Sequence, residues 1–147
     1  MPTDLEARDL MYGAVTTAVR TGGPVFFGYV PQMVWPDNPP KDQPDARKTW
    51  LRTSRQIVNQ RLAAFRDTAK VYETDGILFV QLFFPRAVQG SVEAGEMFAD
   101  YVRDAFRGAP AESEIVFRNA RVLKLGNEEK WFRSNVVVEF EFDEIRS

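Results

Sequence analysis

The chain offers few residues able to do covalent or acid–base chemistry. It contains no His and no Cys, which removes the commonest general base, the thiolate nucleophile and the zinc–thiolate site. Ser54 and Ser134 have no imidazole to activate them. Two acidic pairs, Glu128-Glu129 and Asp143-Glu144, are the candidates for metal ligation. Neighbouring residues on a strand point to opposite faces, so neither pair chelates easily, and solvated acids are the expected reading. Gly22-Gly23-Pro24 is not a phosphate loop: that motif needs a Lys-Ser/Thr pair opening a helix after a strand, and these glycines follow a helix. Trp50, Trp131 and Phe132 are candidates to line a pocket, although aromatics at strand starts more often serve a core or an interface. No catalytic, cofactor-binding or metal residue is therefore assigned, and no enzyme is expected.

What does segregate is charge. Arg47, Lys48, Arg52, Arg55, Arg61, Arg66 and Lys70 stand against one acid, Asp67, within one short segment, while the rest of the chain carries twelve basic and twenty acidic residues. A positive segment on a negative remainder suits docking against copies of the same chain. Chance clustering on a solvated surface is the alternative. The overall pI near 5.3 argues against a nucleic-acid footprint.

The elements that must position these residues follow from pattern. The most apolar run is Gly76–Pro85, β-branched and aromatic on both alternating faces except at Gln81, which reads as a central strand ended by Pro85. It is too short to span a membrane. Thr3 and Glu6 form a capping box, with Ala7, Met11, Ala14, Val15 and Ala18 at helical spacing and Thr21–Pro24 as the stop. Val25–Val30 then reads as a short strand. Five prolines between Pro31 and Pro44 read as a surface loop, pinned to the core by Met33 and Trp35.

Lys48–Asn59 alternates as a strand. Asn59–Asp67 is either a helical turn or a hairpin tip, and Thr68–Phe84 is a long strand. Sixteen or so residues at ~3.3 Å each exceed the width of the domain, so the hairpin Lys48–Phe84 is expected to project at its tip. Gly76 marks the changeover between the polar and apolar halves and is a candidate bulge. A second helix starts at Gly90 or Ser91, buries Val92, Phe98, Val102, Ala105 and Phe106, and stops at Gly108 and Pro110. Ile115–Leu125, a turn at Gly126–Glu129 and Trp131–Asp143 complete the chain, with Val136, Val138, Phe140 and Phe142 facing in. The order α-β-β-β-α-β-β predicts one α+β domain over residues 1–147, with a mainly antiparallel sheet and its helices on one face. The first residues lack a signal-peptide layout, which predicts a chain made and kept in a cytoplasm.

Three segments together resemble the phage tail terminator-like proteins, minor tail proteins similar to the terminator of the lambda tail. They are Trp35-Pro36-Asp37-Asn38-Pro39-Pro40 leading to Trp50-Leu51-Arg52; Tyr72, Gly76 and Val80–Pro85 followed by a helix; and Gly126, Trp131-Phe132 and Val136–Phe140 ending in Asp143-Glu144. The resemblance spans nearly the whole chain, and Asn59–Asp67 fits it least.

It implies a tail-tube-like fold and a structural task in a phage or prophage. The chain would form a ring, typically of six copies, that caps the tail tube, stops its growth and offers the head a docking surface. The implied partners are other copies, the major tail-tube protein and a head–tail connector or neck protein, with DNA passing through the ring without sequence-specific contact. The implied location is the virion tail, assembled in the host bacterial cytoplasm, with no membrane partner and no cofactor. A heterologous ring needs two complementary patches per subunit. Arg52, Arg55, Arg61, Arg66 and Lys70 are the expected basic one. A head–tail joining protein is the nearest alternative. A small-ligand-binding or enzymatic α+β domain is a more distant one and would need a deep pocket with convergent polar groups.

Overall fold

The structure is a computed structural model that describes residues 2–36, 44–66, 69–108 and 114–146, with side chains except at 65–66, 69 and 145–146. The expectations resting on 37–43, on Asp67 and Thr68 and on Pro110 lie outside the described residues. The elements are α1 (Asp4–Phe27), β1 (Gln32–Val34), β2 (Trp50–Arg66), β3 (Ala69–Pro85), α2 (Ser91–Arg107), β4 (Val116–Glu128) and β5 (Trp131–Arg146). One five-stranded sheet has the order β1-β2-β3-β5-β4, antiparallel except where β1 runs parallel to β2. This is the expected α+β class and element order.

α1 begins where the cap predicts, with the Glu6 amide donating to Thr3 Oγ1 at 3.2 Å. It does not stop at Gly22-Gly23-Pro24. It runs three residues past Pro24 and ends at Gly28, which is left-handed (φ 77°) and donates its amide to the Pro24 carbonyl. The strand expected at Val25–Val30 is therefore helical through Phe27, and the first strand lies inside the Pro-rich stretch instead. The two glycines serve packing. A Cβ at Gly22 would sit 2.6 Å from the Tyr101 ring, and one at Gly23 would sit 2.6 Å from Pro31 Cδ. Pro31 and Pro36 flank β1, and as a three-residue edge strand it needs few donors. Trp35 reaches the core as expected, its ring 4.8 Å from that of Tyr12.

β3 is the central strand. Leu78, Val80, Leu82 and Phe84 face both helices and pack with Leu51, Val136, Val138, Phe140 and Phe142 from the neighbouring strands. α1 contributes Ala7, Met11, Val15 and Val19, and α2 contributes Phe98, Ala99, Val102 and Phe106. On α2, Val92 is half-buried and Ala105 exposed, while Gly95 and Ala99 are buried, so the stripe is turned from the one expected.

The segment 59–66 is neither a helical turn nor a tip. It continues β2, whose register with β3 holds from Trp50↔Phe83 to Arg66↔Ala69 and slips at Val58 and at Ala63. Gly76 does face an irregularity, but the extra residue is Val58 on the partner strand. β5 follows β3 to Lys70↔Arg146, so the far end is a three-stranded ribbon rather than a lone hairpin. Val71 and Thr74 are buried there, in the polar half of β3 expected to project beyond the core. The last turn is likewise displaced. β4 runs on through Gly126, at a register slip, and turns at Glu129-Lys130.

Candidate protein-docking face

Register decides which residues share a face. With the even-numbered residues of β3 turned toward the helices, the odd ones face the other way. Trp50, Arg52, Ser54 and Gln56 of β2 join Ile77, Phe79, Gln81 and Phe83 of β3 and Trp131, Arg133, Asn135, Val137, Glu139 and Glu141 of β5. Neither helix covers this face. Yet Phe83 is only 6% exposed and Val137 only 3%, while both stand apart from the helix-side core. Their shielding comes from neighbours on the face itself.

At one end these neighbours form an aromatic cluster. The rings of Trp50 and Phe83 stack at 4.1 Å and 5° across the β2–β3 pair, and Trp131 meets Trp50 edge-on at 6.1 Å. Arg52 lies over Phe83 at 5.4 Å and donates to Gln81 Oε1 at 2.7 Å. Lys130 lies over Trp131 at 5.9 Å. Arg133 pairs with Glu128 at 2.9 Å. The sequence suggested that Trp50, Trp131 and Phe132 belong together. The structure separates them, since Phe132 turns to the helix side and stacks with Phe84. Phe83 takes its place, legible only once the β2–β3 register is known.

The five basic residues singled out by charge do not form one patch. Arg52 lies on the bare face. Arg55 points the other way, its side chain 12% exposed, and donates to Asp4 Oδ2 of α1 at 2.9 Å. It ties a helix to the sheet and is not available to a neighbour. Arg61 pairs across the strands with Glu73 at 2.9 Å and is well exposed. Lys70 is exposed, and the Arg66 side chain lies outside the described residues. The acids also gather: Glu73, Asp75, Glu114, Glu141 and Asp143, with Arg61, line a recess of about 420 Å³ near the far end of β3 and β5.

Among the described residues no group of three or more acids is placed to hold a metal ion. Asp143 is exposed and Glu144 buried, on opposite faces as alternation predicts. Glu128 and Glu129 fall at the β4–β5 turn. Ser134 faces the helices and is fully buried, whereas Ser54 lies on the bare face. A second recess, of about 410 Å³, is apolar and lined by Leu10, Gly13, Thr17, Tyr101 and Phe117 between the helices and β4. No described helix is long and apolar enough to cross a membrane.

No protein-family model matches the chain, nor does any curated protein. Solved structures do resemble it. One, of a protein that bears only a serial designation, aligns over 91% of this chain and 94% of its own length, with a TM-score of 0.58 and 15% identical residues. At that identity the likeness concerns the fold alone.

Proposed function

We propose that this chain is a phage or prophage tail terminator: a structural protein that assembles as a ring, of six copies in keeping with the resemblance, on the finished tail tube, stops its growth and presents a surface to the head. The observation that carries the reading is the bare sheet face. No helix lies over the row Trp50, Phe79, Phe83 and Val137; Trp50 and Phe79 are half-buried, and Phe83 and Val137 are shielded only by their neighbours on the face, which leaves a flat sheet surface for another protein to cover. The row is flanked by opposite charges at its two ends, which suits a contact made head to tail between identical subunits. The sequence resemblance supplies the biological setting and the other partners, the tail-tube protein and the connector. In this reading the chain works by surface complementarity and needs no cofactor. Among the described side chains of the basic set, Arg52, Arg61 and Lys70 are exposed and contribute to the ring, whereas Arg55 holds the subunit together.

The test is addition of the purified chain to its tail-tube protein during polymerisation. A terminator shortens the tubes in proportion to the amount added and is found at one tube end. Tubes of unchanged length with no end-bound chain refute the role.

A further inference from the structure

The aromatic end of the bare face holds polar atoms that find no partner among the described residues. Trp50 Nε1 and Arg133 Nε are buried donors without an acceptor, and Asn135 Oδ1 is a buried acceptor without a donor. Trp50 and Arg133 both lie level with Phe83, and Asn135 lies level with Gln81 one pair further along. Buried polar groups are rarely left unmatched, because each costs about 1–3 kcal/mol. Beside them stand Arg52 and Lys130, and Arg133 itself, whose Glu128 partner neutralises one of the three charges. The surface is thus aromatic and cationic, with two donors and one acceptor left unmatched.

The same subunit carries the complement elsewhere. Asp75 and Asp143 belong to the acidic recess, and Asp75 is eight residues from Phe83 along the same strand. At ~3.3 Å per residue that is roughly 26 Å. A rigid sheet cannot bring the two regions together, so they can meet only between molecules.

We propose that the Trp50–Phe83–Trp131 end of one copy docks into the acidic recess of the next, the recess carboxylates Asp75 and Asp143 facing Arg52 and Arg133. Made head to tail, the contact is heterologous and repeats around a ring, whereas a two-fold pair using both patches at once would stop at a dimer; a native oligomer larger than a dimer in sedimentation distinguishes the two. It rests on the ring-forming reading above and specifies which surfaces meet.

Two double variants test it, with circular dichroism confirming that each folds. Arg52→Glu with Arg133→Glu reverses the cationic end, and Asp75→Lys with Asp143→Lys reverses the recess. In sedimentation at low salt the native chain forms a defined oligomer that dissociates as salt rises, and each variant is monomeric. Mixed together, the two variants associate again, because the intact patch of each meets the intact patch of the other and the two reversed patches are also of opposite charge. Three results overturn the contact: a native chain that stays monomeric at millimolar concentration, variants that assemble like the native chain, or a mixture that stays monomeric. A native chain that fails to self-associate but retains a short labelled DNA through Arg52 and Arg133 overturns it in favour of nucleic acid. Tube length is measured separately, so loss of the terminator role and loss of this contact are distinguishable.

Discussion

Gly95 of α2 lies directly on the ring of Phe84 at the end of β3: a Cβ built at Gly95 would overlap Phe84 Cγ and Cδ1 and come within 2.6 Å of Cδ2. The helix approaches the sheet closely here because nothing stands between its backbone and the ring. Gly95→Ala adds helix propensity worth about 1 kcal/mol but forces the helix off a fully buried aromatic. The expected net result is a loss of about 1–2 kcal/mol in urea denaturation.

Gly76 is constrained by backbone rather than by a side chain. A Cβ there would overlap the Gln56 carbonyl and approach Phe140 Cζ to 2.7 Å. Gln56 cannot move without disturbing the β2–β3 ladder beside the Val58 slip. Gly76→Ala should therefore cost about 2–3 kcal/mol, more than Gly95→Ala, in the same measurement.

Arg55 and Arg61 were alike in sequence and differ in the structure. Arg55→Ala leaves Asp4 without its cross-element partner and removes a packed side chain, and should cost about 1–2 kcal/mol. Arg61→Ala breaks an exposed pair with Glu73 and should change stability by less than about 0.5 kcal/mol. Equal losses in thermal denaturation would contradict the assignment of Arg55 to the fold and Arg61 to the surface.

These three sites show where the sequence could be read and where it could not. The alternation of Val136, Val138, Phe140 and Phe142 and the spacing of Ala7, Met11 and Val15 are local periodicities, and they gave the central strands and the first helix directly. Gly22 and Gly23 misled because a glycine needed for close packing looks the same as one that ends a helix. The aromatic end of the bare face depends on pairing Trp50 with Phe83, residues far apart in the chain, and no local pattern reveals such a register. Charge clustering likewise placed Arg52 and Arg55 together, although on β2 they point to opposite sides of the sheet.

Loss of the aromatic cluster should affect association more than folding. Trp131→Ala removes the ring that meets Trp50 edge-on but leaves the helix-side core intact. The expected outcome is a monomer that weakens by at most about 1–2 kcal/mol in denaturation while self-association falls at least about tenfold in sedimentation.

The central claim is that the chain ends tail growth, and tail length measures it most directly. Electron microscopy of tails from a phage or prophage deleted for this gene should show tubes of unregulated, excessive length lacking heads, restored to uniform length by the native chain supplied in trans. Tails of normal, uniform length in the deletion would contradict the account.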